Sequence, residues 1–157
     1  MKIVGYSYFK GEWHYTMKCD SSLLNQRKPF FLPDWSEDIR MTPCTVVRIC
    51  RLGRCIQPKF AARYYDAIAD GINFRAADML TQGKWNEAFA FDASLCVGLW
   101  REPDGTISES IHQAIADVSR FVTIRIGDLV FVDAPQEAQH IETEQIIEKD
   151  GLYCKIK

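Results

Sequence analysis

The run that most constrains this chain is Thr45-Val46-Val47-Arg48-Ile49-Cys50-Arg51. Its β-branched side chains lose rotamer freedom in a helix and pack well on a pleated surface, so residues 45–51 are predicted to form a strand. Leu52-Gly53-Arg54 supplies the turn that ends it. Pro58 suits the first position of a helix, where its missing N–H leaves no partner unsatisfied. Ala61, Tyr64, Tyr65 and Ile68 then share one face at helical spacing, and Gly71 closes the unit, which predicts a helix. Residues 72–75 are predicted to begin another strand.

Residues 2–5 and 13–18 read as strands, the second with Trp13, Tyr15 and Met17 on one face by alternation. Asn25-Gln26-Arg27-Lys28-Pro29 reads as a turn. Thr106-x-x-Glu109 is a capping box, and Ile107, Ile111, Ala114, Ile115 and Val118 trace the apolar face of the helix behind it. Gly127-Asp128 leads into a strand over 129–132, and another is expected around 140–147. Lys149-Asp150-Gly151 turns into a last strand over 152–156. The sum is one β-rich α+β domain over residues 1–157, with two main helices.

At 47% apolar and 25% charged, the chain can bury a real core. Its net charge is −2, and its Lys and Arg residues are scattered without a basic run, so no nucleic-acid partner is expected. The N-terminus is too poor in apolar residues for a signal peptide, and no apolar run has the length of a membrane span, so no membrane partner and a cytoplasmic location are expected. The six cysteines form no C-x-x-C pair and read mostly as reduced thiols in strands and core.

Five segments follow one another in a telling order. They are Lys18-Cys19-Asp20-Ser21-Ser22-Leu23-Leu24, Thr42-Pro43-Cys44 with Val46-Val47-Arg48-Ile49, Ile72-Asn73-Phe74-Arg75-Ala76-Ala77-Asp78, Trp85 through Phe91-Asp92-Ala93-Ser94, and Ile126-Gly127-Asp128-Leu129-Val130-Phe131. Phe30-Phe31-Leu32-Pro33-Asp34-Trp35 stands just before the second. Together they resemble the fumarylacetoacetate hydrolase family over most of the chain. There the matching segments read Lys-Pro-x-Ser/Thr-x-Leu, Glu-x-Glu, Asn-Asp-x-Thr-Ala-Arg-Asp, Trp-x-x-x-Lys-x-Phe-Asp and Gly-Asp-x-Ile-x-Thr-Gly-Thr-Pro. The resemblance implies a mixed β-roll that dimerises. It also implies a magnesium or manganese ion on three acids, chelating the keto-enol oxygens of acylpyruvate-like or β-diketone substrates and stabilising the enolate. A lysine and an arginine would hold charge, and a His-Glu pair on an N-terminal lid would activate water.

The departures fall on that chemistry. The two glutamates are matched by Thr42 and Cys44, and the third acid by Asn73. The lysine falls at Phe89 and the arginine at Ala77; Asp78 is kept and reads as a structural hydrogen-bond acceptor. A hydroxyl, a thiol and an amide make a poor Mg²⁺ site, because affinity rests on anionic oxygens. Phe89 would fill the vacated pocket with apolar bulk. Only Phe9-Lys10-Gly11-Glu12 separates the first two strands, too little for the lid helix. Between Trp100 and Thr106 a substrate-contacting stretch is missing, and only Pro135 survives from the end of the last motif.

Cys44 could serve as an inert thiol, a soft-metal ligand with His14, His112 or His140, or a nucleophile, and the inert thiol is the plainest reading. If the strand is regular, Cys50 shares its face. His112 and His140 read as surface residues, and Glu137, Glu142, Glu144 and Glu148 as a solvated strand face. Tyr64, Tyr65, Phe89, Phe91 and Trp100 read as core. The preferred expectation is therefore a family member that has lost its metal and its catalysis. It would act as a binding or assembly protein without a cofactor, as a homodimer or beside an active relative. The other reading is a divergent hydrolase, decarboxylase or tautomerase acting on acylpyruvate-like or other small 2-oxo acids. Thiol chemistry at Cys44 is a third.

Overall fold

The computed structural model describes residues 1–25, 27–105 and 109–157. The expected capping box at Thr106, the Ile107 position and Gln26 lie outside the described residues. The first hairpin joins β1 (Ile3–Phe9) to β2 (Glu12–Lys18), with Phe9 opposite Glu12. Its two-residue loop, Lys10-Gly11, has both φ angles positive, at 52° and 75°, the geometry that matches the twist of paired strands. The connection leaves no room for a lid helix between these strands.

The next elements are β3 (Leu23–Asn25), β4 (Ile39–Ile49) and β5 (Tyr65–Ala76). Two short helices follow, α1 (Ala77–Thr81) and α2 (Trp85–Phe89), then β6 (Leu95–Val97) and the long helix α3 (Glu109–Phe121). The chain ends with β7 (Leu129–Asp133), β8 (Gln139–His140) and the hairpin β9 (Ile146–Lys149) and β10 (Leu152–Lys155). The large mixed sheet runs β2-β1-β7-β4-β5-β6-β3, with β8 paired to the start of β4 and β9–β10 forming a separate ribbon. The fold is β-rich α+β.

The helix expected from Pro58 is not formed. Pro58–Tyr64 is a 3₁₀ segment, and Tyr65 onward is strand. The reason is tertiary: β5 pairs antiparallel with β4 from Ile39 opposite Ala76 to Ile49 opposite Tyr65, and that ladder outweighs a local helical spacing. The β4 strand also begins earlier than its β-branched part and ends at Ile49, with an irregularity between Arg48 and Ile49. Cys50 therefore lies beyond the strand rather than on the face of Cys44.

Alternation divides the core. Val4, Val47, Ile49, Tyr65, Val130 and Val132 meet Ile111, Ala114, Ile115 and Val118 of α3 on one face. Ile3, Cys44, Val46, Ala69, Leu129 and Phe131 pack on the other. Gly5 lies on that second face against Phe131, whose carbonyl oxygen takes the space a Cβ would need. Residues 13–18 do alternate, but the apolar set, Trp13, Tyr15 and Met17, is the exposed one, while Thr16 and Lys18 are buried. Of the six free cysteines, Cys44, Cys96 and Cys154 are buried, Cys50 is half-buried, and Cys19 and Cys55 are exposed. No helix among the described residues is long and apolar enough to cross a membrane.

Candidate functional site

Strand register assembles the site on the face away from α3. Thr42 stands opposite Asn73, and Cys44 opposite both Gly71 and Asp133. Asp133 is four residues beyond Leu129 on the same strand face, and Ser7 follows the parallel pairing of Gly5 with Phe131. Lys18 enters from β2, opposite Ile3. The resemblance positions Thr42, Cys44 and Asn73 are thus brought together by β4 and β5. Thr42, Asn73, Arg75, Asp133 and Ser7 are all at most 2% exposed, so the cluster is closed to solvent.

What fills it is charge of both signs. The Arg75 Nη2 donates to Asp133 Oδ2 at 2.8 Å and to Thr42 Oγ1 at 3.0 Å, while its Nη1 donates to the Tyr8 carbonyl at 2.6 Å. Asp133 also accepts from Asn73 Nδ2 at 2.9 Å and from the Tyr8 N–H at 2.9 Å. Asn73 Nδ2 reaches Ser7 Oγ at 3.0 Å. The Lys18 Nζ donates to the Phe89 carbonyl at 2.6 Å and to Ser94 Oγ at 3.0 Å. Phe89, at the end of α2, is buried, and its ring lies 5.3 Å from the Arg75 guanidinium carbon. Helix α2 thus roofs the cluster with an aromatic ring and a carbonyl.

Burial governs the ionisation of these groups. It pushes the Asp133 carboxyl up to about 6, against the opposing pull of Arg75, Asn73 and the Tyr8 N–H. It lowers the Lys18 ammonium to about 7, with Asp133 pulling the other way. The Arg75 guanidinium is also lowered by burial. Burial, reinforced by Asp133, raises the Cys44 thiol well above its usual range, so Cys44 is a protonated core thiol and a poor nucleophile or metal ligand.

These residues do not fit a divalent cation. The carboxylate of the cluster is committed to Arg75, and the Thr42 hydroxyl oxygen accepts from the same guanidinium. Asn73 Oδ1, a buried oxygen without a partner, is a single neutral donor, whereas Mg²⁺ takes about six oxygen ligands. The Arg75 guanidinium, paired with the carboxylate at 2.8 Å, would repel a further positive charge. Among the described residues no group of three or more His, Cys, Asp and Glu side chains is placed to hold a metal ion.

The remaining positions stand outside the cluster. Ala77 begins α1 and donates its N–H to the Asp38 carbonyl. Asp78 accepts from Ser36 Oγ at 2.6 Å and from the N–H groups of Glu37 and Met79 at 3.1 Å, tying the loop before β4 to α1. His14 Nε2 lies 3.1 Å from the Phe9 carbonyl, and His112 Nε2 lies 2.8 Å from the Tyr65 hydroxyl. His140 stands beside Asp38, Glu144 pairs with Lys155, and Glu137 accepts from the Gly11 N–H. Sequence reasoning did not single out Ser7, Lys18, Arg75 or Asp133 as site residues. The available signal was a lone charge inside an apolar run, as in Phe74-Arg75-Ala76 and Val132-Asp133-Ala134.

No protein-family profile matches the chain, and no curated protein matches it in sequence. Solved structures do match in three dimensions. The fumarylpyruvate hydrolase of Pseudomonas aeruginosa, in complex with Mn²⁺ and pyruvate, is 20% identical over 99% of this chain and 88% of its own, with a TM-score of 0.81. The 5-carboxymethyl-2-hydroxymuconate delta-isomerase of Mycobacterium smegmatis is 16% identical over 99% of this chain and 76% of its own, with a TM-score of 0.85. The 2-hydroxyhepta-2,4-diene-1,7-dioate isomerase of Mycobacterium marinum is 18% identical over 99% of this chain and 73% of its own, with a TM-score of 0.82. These structures define a class of hydrolase and isomerase folds. The chain has the fold of the fumarylacetoacetate hydrolase family, as the order of its motifs suggested.

Proposed function

We propose that this chain is a metal-free, non-catalytic protein on a fumarylacetoacetate hydrolase fold, acting by binding or assembly. The observation that carries this is the Arg75–Asp133 pair, buried at 2.8 Å among Thr42, Cys44 and Asn73. A guanidinium and a carboxylate neutralise each other where the resemblance would place three acids around a cation. The Pseudomonas aeruginosa hydrolase, solved in complex with Mn²⁺ and pyruvate, supplies the contrast. Phe89 and the two-residue β1–β2 turn support the same reading, because they replace a lysine and a lid.

Assembly as a homodimer, or beside an active relative, belongs to the proposal. The exposed Trp13, Tyr15 and Met17 of edge strand β2 offer an apolar face for it. The test of function is calorimetric titration with Mn²⁺ and Mg²⁺, each with and without oxalate as an enolate mimic. The expected result is no binding heat under any of the conditions. Micromolar Mn²⁺ binding strengthened by oxalate would refute the proposal and favour an enzyme acting on small 2-oxo acids.

A further inference from the structure

Six Lys and Arg residues from two separate stretches of the chain, 51–63 and 120–125, come together at one end of the molecule. The turn after β4 and the segment after α3 lock together there: the Gly53 N–H donates to the Ile124 carbonyl at 3.0 Å, and the Ile124 N–H returns the bond at 2.9 Å. The Cys55 N–H and the Ile56 N–H bind the carbonyl and the hydroxyl of Ser119. The 3₁₀ segment packs on the same helix, with Ala61 buried against α3 and the Tyr64 carbonyl accepting from the Cys50 N–H. Arg51, Arg54, Lys59, Arg63, Arg120 and Arg125 are all exposed on this end. Among the described residues none of the six has a carboxylate within ion-pair distance. The neighbouring acids are engaged elsewhere: Asp66 with Arg48, Asp128 with Lys2, and Asp117 with Gln113.

The same end carries large apolar side chains with much of their surface in water, the Phe121 ring also standing 5.2 Å from that of Tyr15. Leu52 is 61% exposed, Phe121 is 66% exposed and Ile126 is 75% exposed. Each stands directly after an exposed arginine: Arg51 before Leu52, Arg120 before Phe121, and Arg125 before Ile126. Leu52 and Ile126 are aliphatic side chains on turns, and the aromatic rings of this end are engaged within the protein: Tyr64 lies under Arg51, Phe60 under Lys59 and Arg63, and Phe121 beside Tyr15, which leaves cations and aliphatic groups as the outward features. A cation beside a protruding aliphatic group, repeated on separate loops, matches a boundary with negative charge at its surface and hydrocarbon just beneath.

We propose that this end is a docking surface for an anionic lipid bilayer, with the arginines at the headgroups and the Leu52, Phe121 and Ile126 side chains inserted below them. This surface is independent of the buried Arg75 cluster and does not rest on the loss of catalysis. It departs from the expectation of no membrane partner, which rested on the absence of a membrane-spanning run; a peripheral surface needs no such run.

The test is co-sedimentation of the whole protein with phosphatidylcholine vesicles, with and without phosphatidylserine, at low and high salt. The expected result is binding to the phosphatidylserine vesicles only, lost at high salt. Arg51→Gln with Arg54→Gln should weaken binding about 25-fold, at about five-fold per charge near such a surface. Leu52→Ser with Ile126→Ser should also weaken it at least several-fold, and both pairs of changes are on exposed loops that leave the core intact. Failure to sediment with phosphatidylserine vesicles would overturn the proposal. So would binding to a single-stranded oligonucleotide that the arginine changes abolish and the Leu52→Ser/Ile126→Ser change spares, which would make the surface a nucleic-acid site. A change of oligomeric state on Leu52→Ser/Ile126→Ser, seen by light scattering without vesicles, would overturn it in favour of a protein interface.

Discussion

Arg75→Met removes the guanidinium and leaves Asp133 in a site where its side chain is wholly buried. Breaking a buried ion pair from one side costs about 3–5 kcal/mol, because the remaining charge is stranded. The Tyr8 carbonyl and the Thr42 hydroxyl also lose their donor. Asp133 can escape part of that cost by taking up a proton. Its pKa already stands at about 6 with Arg75 alongside, and removing Arg75 drives it higher. A carboxyl whose folded value lies above its unfolded 3.8 contributes stability below that unfolded value and loses it as pH rises through the folded one. The variant should therefore lose little at pH 5, about 1–2 kcal/mol for the missing hydrogen bonds. At pH 8 it should lose about 4 kcal/mol, a drop of about 2 M in urea midpoint at a typical slope for a domain of this size. Urea unfolding at both pH values measures the difference. Arg75→Met with Asp133→Leu should recover part of the loss at pH 8, since no charge is then left unpaired. An equal, small loss at both pH values, with no recovery in the double variant, would refute the argument that this pair holds the site together.

Other outcomes follow from the same geometry. Lys18→Met should flatten the alkaline limb of the stability profile. A lysine lowered to about 7 from 10.5 contributes stability above 10.5 that is lost as pH falls through 7, so the wild type alone should gain stability over that window in pH-dependent unfolding. Gly5→Ala should cost about 3 kcal/mol or more, measured by thermal unfolding, because the added methyl meets the Phe131 carbonyl oxygen in the paired strand. Ser119→Ala should cost about 1–3 kcal/mol in the same assay, since it leaves the buried Ile56 N–H without its acceptor. Thr42→Glu, Cys44→Glu and Asn73→Asp together should still bind no Mn²⁺ in calorimetry while Arg75 is present, and should gain Mn²⁺ binding when Arg75→Thr is added.

Local patterns carried the elements whose stability is local. The apolar face of α3, the Asp150-Gly151 hairpin and the β-branched centre of β4 were legible because each is written in the spacing or chemistry of adjacent residues. The order of the motifs also carried the fold, and it pointed to Thr42, Cys44 and Asn73, which the β4–β5 ladder sets near one another. The segment from Tyr65 to Arg75 was misjudged at its start, because its apolar residues satisfy both a helical and an extended spacing and only the ladder to β4 selects between them. The face of β2 that turned inward was also beyond local reasoning, since burial there depends on α2 and β7 covering Lys18.

The sequence by itself determined that a β-rich domain would form and that Thr42, Cys44 and Asn73 stand where the resemblance would put acids, because residue identity and spacing are properties of the chain. Only the tertiary structure decided what surrounds them. Arg75 and Asp133 are 58 residues apart, and sheet register alone sets them at 2.8 Å in a site without solvent. The basic end is of the same kind: its cations come from two distant stretches of chain, joined where Gly53 pairs with Ile124. Long-range electrostatics of this sort cannot be read along a chain, because Coulomb energy depends on distance through space and on burial, and both are created by folding.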